Sequence, residues 1–308
     1  MHSELIRDAR EKGFVARLDP GGLGLADPGW IVVSGHDALS FVHSQVTNEV
    51  EGLAPGQGNA SARVTRQGQL VELFQLYRLA DTHGEGVLGL MLPRARVPAL
   101  LNLFEEAIFA DDVSVQDESE SWQWWALQGS PAVSILDGVF PRSEASWSDL
   151  SEHALVPLIQ GASDHGDAFA IRCALAGDGG FLIALPPRTD NAQRMANSLR
   201  EASAHAGLVE LEGPSLSQAL EVLRIEAGVV RMGPDTLGRK RILPETGLEQ
   251  FTVSYTKGCY LGQEVIARVR TYGALPFSLR GLVLPSTETD SEELLSAIPG
   301  EGETFYLA

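Results

Sequence analysis

Lys257-Gly258-Cys259-Tyr260-Leu261-Gly262-Gln263-Glu264 joins a cation, a thiol, a phenol and a carboxylate within eight residues. Its two glycines let the backbone turn tightly or come close to a ligand. Lys257 stands two residues from Cys259, and a nearby cation favours the thiolate, the reactive form of the thiol. Cys259 is therefore the candidate functional thiol, as a nucleophile, a redox sensor or a transient ligand for iron–sulfur material. The other cysteine, Cys173, sits in a strand-like run between Arg172 and Ala174 and reads as a small buried hydrophobe. Two cysteines so far apart make no disulfide framework. No H-E-x-x-H, C-x-x-C or phosphate-binding G-x-x-x-x-G-K-[ST] occurs, and the seven histidines are scattered, so no protein-only metal site is predicted. Glu264 and Arg268 share a face whether their segment is a helix or a strand.

Positioning these groups falls to a mixture of helices and strands. The best-punctuated helix is 214–227, with Ser215 as its cap, Gln218 completing a capping box and Gly228 as its stop. Leu216, Ala219, Leu220, Leu223 and Ala227 form its buried face, which places Arg224 at the margin. Further helices are predicted at 37–43 behind Asp37, at 98–110 opened by Pro98, and at 189–205. Strands are predicted at the end of 23–33 and at 68–79, 122–127, 168–175, 180–185 and 279–285. In 68–79, Leu70, Glu72, Phe74, Leu76 and Arg78 share one face. The 233–255 stretch reads as a long, functional loop. Strands alternating with helices argue α+β or α/β, with no solenoid period.

Composition narrows the classes. Apolar content of 44% and charged content of 21% are those of an ordinary globular protein. No apolar run reaches the ~20 residues of a spanning helix, and the first seventeen residues lack a signal-peptide core. A cytoplasmic, reducing setting without membrane contact is expected. A formal net charge of −18 disfavours non-specific nucleic-acid binding. Against that background Arg239, Lys240, Arg241, Lys257, Arg268 and Arg270 make a local basic zone. It serves either a small anionic ligand or charge balance within the fold, and the sequence leaves both open.

The octapeptide 257–264 resembles the signature of the YgfZ family, the folate-binding relatives of the glycine-cleavage T-protein. Leu223-Arg224-Ile225-Glu226-Ala227-Gly228 is similar to the R-x-E-A-G element of both branches. Gln45-Val46-Thr47-Asn48-Glu49-Val50, Gly56, Gln67-Gly68-Gln69 and Leu127-Gln128-Gly129-Ser130-Pro131-Ala132 follow the family pattern, in family order, within about 24–285.

The resemblance implies an α+β fold of two interleaved, ferredoxin-like units over 1–272. A short C-terminal β-barrel segment, incomplete beside the family's, would follow at 273–308. It implies tetrahydrofolate as the cofactor. Arg224 would face folate carboxylates, with Trp30 as a stacking surface unless it packs in the core. Asp178 would stand for a T-protein acid, and Glu226, Lys257, Tyr260, Gln263 and Glu264 complete the ligand-facing set. The sequence departs from the T-protein at Leu73, where that branch has an acid five residues after the glycine matching Gly68. Glu72 is adjacent but points to the opposite face of a strand. The implied function is a tetrahydrofolate-binding protein that supports iron–sulfur cluster assembly or repair, including that of tRNA-modifying enzymes. Its partners would be iron–sulfur client enzymes or assembly proteins. The alternatives are a folate-dependent aminomethyltransferase and a thiol-based redox or sulfur-handling protein centred on Cys259.

Overall fold

A computed structural model describes the chain at residues 2–22, 26–82, 84–142, 146–158, 168–177, 179–233, 235–236, 241–273, 275–282 and 303–307. Its helices are α1 (His2–Lys12), α2 (Ala38–Gln45), α3 (Val97–Glu105), α4 (Ala132–Val139), α5 (Asp190–His205), α6 (Gly213–Glu226), α7 (Glu249–Thr252) and α8 (Gln263–Tyr272). Its strands begin with β1 (Phe14–Leu18), β2 (Pro28–Ser34), β3 (Gly58–Val64), β4 (Leu70–Arg78), β5 (Leu88–Pro93), β6 (Ser114–Asp117) and β7 (Gln123–Gln128). There follow β8 (Leu155–Pro157), β9 (Phe169–Arg172), β10 (Gly180–Leu185), β11 (Val209–Leu211), β12 (Ser278–Leu282) and β13 (Glu303–Leu307).

One sheet has the order β11-β1-β7-β10-β9-β8 and the other β3-β4-β5-β2-β6. The second sheet is antiparallel throughout, and the first has a single parallel pair, β1 with β11. Strands β2 to β6 are inserted between β1 and β7, which pair directly. This is the interleaved α+β arrangement expected above.

Side-chain alternation assigns the layers. Phe74 and Leu76 of β4 pack with Ile31, Val33, Leu88 and Leu90 under α2 and α3. Tyr77, on the other face of β4, joins Trp30, Trp124, Leu182 and the α6 residues Leu216, Ala219, Leu220 and Leu223 in a core that ties both sheets to α6. The far face of the first sheet packs on α4 and α5.

Several details correct the sequence reading. Asp37 precedes α2 but does not cap it, because its carboxylate accepts the Asp112 N–H at 2.9 Å. Helix α6 begins at Gly213 behind Glu212, so the Ser215–Gln218 box lies inside the helix and is not made. Pro214 fits the first turn because the N–H it lacks has no intrahelical partner there. Helix α3 ends at Glu105, short of Ile108. The C-terminal strands β12 and β13 form a two-stranded parallel pair, with no closed barrel among the described residues. The expected strand at 279–285 is described only as far as Leu282. No helix among the described residues is long and apolar enough to cross a membrane.

Candidate ligand cavity

A cavity of about 450 Å³ opens between the second sheet, α6 and the chain flanking β8 and β9. Ala60 and Ser61 of β3, Leu73 and Gln75 of β4 and Met91 of β5 supply one wall; Glu152, His153 and Ala174 supply another. Leu220, Glu221 and Arg224 of α6 and the stretch Val229–Met232 close it. Leu73 lies on the wall, whereas Glu72 is buried on the opposite face and accepts Arg96 Nε at 2.7 Å. Burial raises the Glu72 pKa, with Arg96 opposing. Gln75 accepts from the Tyr77 hydroxyl and donates to Cys173 Sγ at 3.4 Å.

Arg224 is held from all sides. Its Nε donates to Glu221 at 2.9 Å, its Nη1 to Val229 O at 3.0 Å and Asp235 at 2.7 Å, and its Nη2 to Asp235 at 3.2 Å and to Glu221. These contacts use all five guanidinium donors. Arg231 joins Glu221 at 2.7 Å, and its backbone N–H reaches Asp235 at 2.6 Å. Burial works against the Arg224 charge, but the bonds to Glu221 and Asp235 outweigh it and raise its pKa; Arg224 in turn lowers that of Glu221. The local cause is sequence spacing. Glu221 and Arg224 stand one turn apart on α6, and Gly228, at φ 71°, ends the helix so that the chain crosses the cavity and returns at Asp235. A ligand carboxylate would have to displace Glu221 or Asp235 to gain this arginine.

The octapeptide 257–264 has a different setting. Lys257 is 8% exposed, and its ammonium donates to His43 O at 2.5 Å and to Val46 O and Asn48 O at 2.8 Å each. His43 O lies in the last turn of α2 and Val46 follows its last residue, a helix end where a cation is favoured. Burial pushes the Lys257 pKa down to about 8, against Glu49 and Glu51. Thr47 donates to Thr252 O and Asn48 to Phe251 O at 3.0 Å, so the family-like 45–50 segment binds α7 as well as meeting the octapeptide through Lys257. Tyr260 packs with Ala62, Val64, Leu243 and Ile266, and burial pushes its hydroxyl up to about 12. Gly262 opens α8 at φ 82°; a Cβ there would stand 2.4 Å from Thr65 O, so only glycine lets the helix seat on the β3–β4 turn. Gln263 begins α8, and Glu264 and Arg268 are exposed along it.

The structure therefore does not gather the sequence-predicted set at one place. Arg224 lines the cavity, while Lys257, Tyr260, Gln263 and Glu264 belong to the α2–α8 junction. Glu226 pairs with Arg10 beside a separate cleft lined by Gln128 and Gly177. The stacking face expected of Trp30 is taken by Tyr77, Trp124 and Phe169, and the ring is 1% exposed in the core. Asp178, Arg239 and Lys240 lie outside the described residues. Of the remaining basic zone, Arg241 stacks over Phe277 and Arg270 over Tyr255. The sequence reading missed Glu221, Asp235, Arg231 and His153. The Glu221–Arg224 spacing was the one available signal, since Asp235 is brought in by the turn at Gly228.

Cys259 is exposed and Cys173 buried, as the sequence suggested. Lys257 spends its donors on α2, so its ammonium is not directed at the thiol. Burial pushes the Cys173 thiol up to about 12, with Gln75 opposing. Alkylation of the native protein at pH 7, mapped by mass spectrometry, should label Cys259 at least about a hundredfold faster than Cys173, since the reaction needs an accessible thiolate. Equal rates would place Cys173 in an accessible site.

Known proteins resemble this chain over most of its length. A chloroplastic putative transferase of Arabidopsis thaliana is 29% identical, across 90% of this chain and 58% of its own. An aminomethyltransferase of Rubrobacter xylanophilus is 26% identical, across 83% and 63%, and the tRNA-modifying protein YgfZ of Edwardsiella ictaluri 29%, across 85% and 72%. The chain thus spans about three fifths of the length of the first two relatives. The crystal structure of the glycine cleavage system aminomethyltransferase T from Bartonella henselae superposes with a TM-score of 0.68 at 18% identity, covering 87% of this chain and 66% of that one, a likeness of fold. The model of the GCVT N-terminal domain matches residues 24–257.

Proposed function

Because this chain belongs to the GCVT N-terminal domain family, as a YgfZ/GcvT-like member, we propose that it is a folate-binding protein whose ligand, tetrahydrofolate, occupies the cavity between the second sheet and α6. The observation that carries this reading is the cavity itself. Its volume lies within the ~300–1,000 Å³ of small-molecule sites, and its walls are largely apolar with a few polar groups, Gln75 and His153 among them. The resemblance of the 223–228 element to the one shared by the YgfZ and T-protein branches supports the choice of ligand. In this reading Arg224 shapes the site by anchoring the crossing loop.

The protein serves binding rather than aminomethyl transfer. Leu73 lines the cavity and offers no proton acceptor, and the adjacent Glu72 is paired to Arg96 on the other face. Of the carboxylates on the wall, Glu221 is held by Arg224 and Arg231, and Glu152 accepts the Ala174 N–H at 3.0 Å. The role that follows is support of iron–sulfur cluster assembly or repair, tRNA-modifying enzymes among the clients, in a reducing compartment such as the cytoplasm where Cys259 stays a thiol. The naming of one relative as a tRNA-modifying protein supports this choice of clients. Incubation with an aminomethylated lipoyl-protein and tetrahydrofolate should give no turnover on the order of 1–10³ s⁻¹. Turnover in that range would favour the transferase reading.

The direct test is the melting temperature with and without tetrahydrofolate. A ligand that binds only the native state stabilises it by about 2.7 kcal/mol at a hundredfold excess over Kd, a rise of about 5 °C or more. No shift at millimolar ligand would refute the folate reading.

A further inference from the structure

His153 has a backbone that other contacts fix and a side chain that nothing yet explains. Its φ of 62° lies in the left-handed region, which histidine tolerates better than most residues but adopts seldom. Its N–H donates to Arg172 O at 2.9 Å, and its O lies 2.8 Å from where a Cβ on Gly58 would stand. The direction in which its side chain leaves the backbone is thus set by β9 and β3. The ring stands edge-on to Tyr77, with centroids 6.5 Å apart, and lines the cavity. Nδ1 is enclosed and has no hydrogen-bond partner among the described residues. With no acceptor against Nδ1, the proton of the neutral ring belongs on Nε2.

We propose that His153 reads the cavity's ligand, donating from a neutral Nε2–H to an acceptor atom on a heteroaromatic ring. This rests on the folate reading above and adds the group that orients the ring. The surroundings agree. Burial lowers the His153 pKa below the ordinary 6.5, with Glu152 opposing. The other titratable groups around the cavity are Tyr77 and Cys173, both raised by burial, and Glu221, Arg224 and Arg231, which are engaged with one another. A backbone conformation held off the usual regions at a cavity wall is the kind of strain that functional sites retain.

Two measurements test it. Nitrogen–proton correlation spectra of the ligand-free protein at pH 7 should show His153 as the neutral Nε2–H tautomer, and tetrahydrofolate should move its Nε2 resonance. Calorimetric titration of His153→Phe with tetrahydrofolate should show binding about tenfold weaker than wild type, the loss of one neutral hydrogen bond. His153→Asn, which tolerates the left-handed backbone and keeps an N–H donor, should recover part of that loss. Tight binding by a folded His153→Phe, an Nδ1–H tautomer, or a ring resonance unmoved at saturation would overturn the assignment while leaving the folate reading intact. A wild-type protein that does not bind would overturn both, and if His153→Phe fails to fold, the wild-type spectra decide.

Discussion

Arg224→Ala should destabilise the protein by about 3–5 kcal/mol, the usual cost of stripping one partner from a buried ion pair. Asp235 is 7% exposed and would keep its charge without its guanidinium, and Val229 O would lose a donor. At about 2–4 °C per kcal/mol for a protein of this size class, the melting temperature should fall by roughly 10 °C. Urea unfolding of Arg224→Ala, Asp235→Leu and their double variant measures the coupling, and the double variant should recover part of the loss. Both single changes also free the loop that crosses the cavity. Asp235→Asn should therefore weaken tetrahydrofolate binding much as Arg224→Ala does. If Arg224→Ala alone weakens it, the arginine touches the ligand directly and the anchoring role is wrong.

Lys257→Met should cost about 2–4 kcal/mol, because three carbonyls lose charge-assisted donors at once. The sign of its pH dependence follows from the depressed pKa. Between about 8 in the native protein and the ordinary 10.5 in the unfolded chain, the unfolded chain holds the proton that the native protein has released. Titration of this group therefore adds stability as pH rises across that window, and that added part is lost as pH falls through about 8, leaving the ammonium's three hydrogen bonds. The stability difference between wild type and Lys257→Met, followed by urea unfolding from pH 7 to 10, should widen with pH. A difference below about 1 kcal/mol at pH 7 would mean that the lysine is no more than a surface cation.

Much of the architecture was legible because period and punctuation carry it. Strand β4 followed from alternation, which also placed Glu72 and Leu73 on opposite faces, and α6 followed from its apolar stripe and the stop at Gly228. What failed was local competition among polar groups. Asp37 and Ser215 had the right chemistry for capping, but Asp112 claimed the first and Gly213-Pro214 started the helix ahead of the second. The site was harder for a tertiary reason. Lys257 and Cys259 are neighbours in sequence, yet Lys257 turns to carbonyls more than two hundred residues away. Trp30 matched a stacking surface by type, but three aromatic neighbours from other strands enclosed it. His153 carries no motif, and its left-handed backbone and its place on the cavity wall exist only in the folded chain.

The most direct measurement is a calorimetric titration of tetrahydrofolate into the wild-type protein and into Ala60→Trp. Ala60 pairs with Gln75 across β3 and β4 on the cavity wall, so an indole there fills the proposed site. Wild type should bind with micromolar or tighter Kd, about −8 kcal/mol or better, and the folded Ala60→Trp variant should not bind. No heat from wild type at millimolar ligand, or equal affinity in both proteins, would contradict a folate site in this cavity.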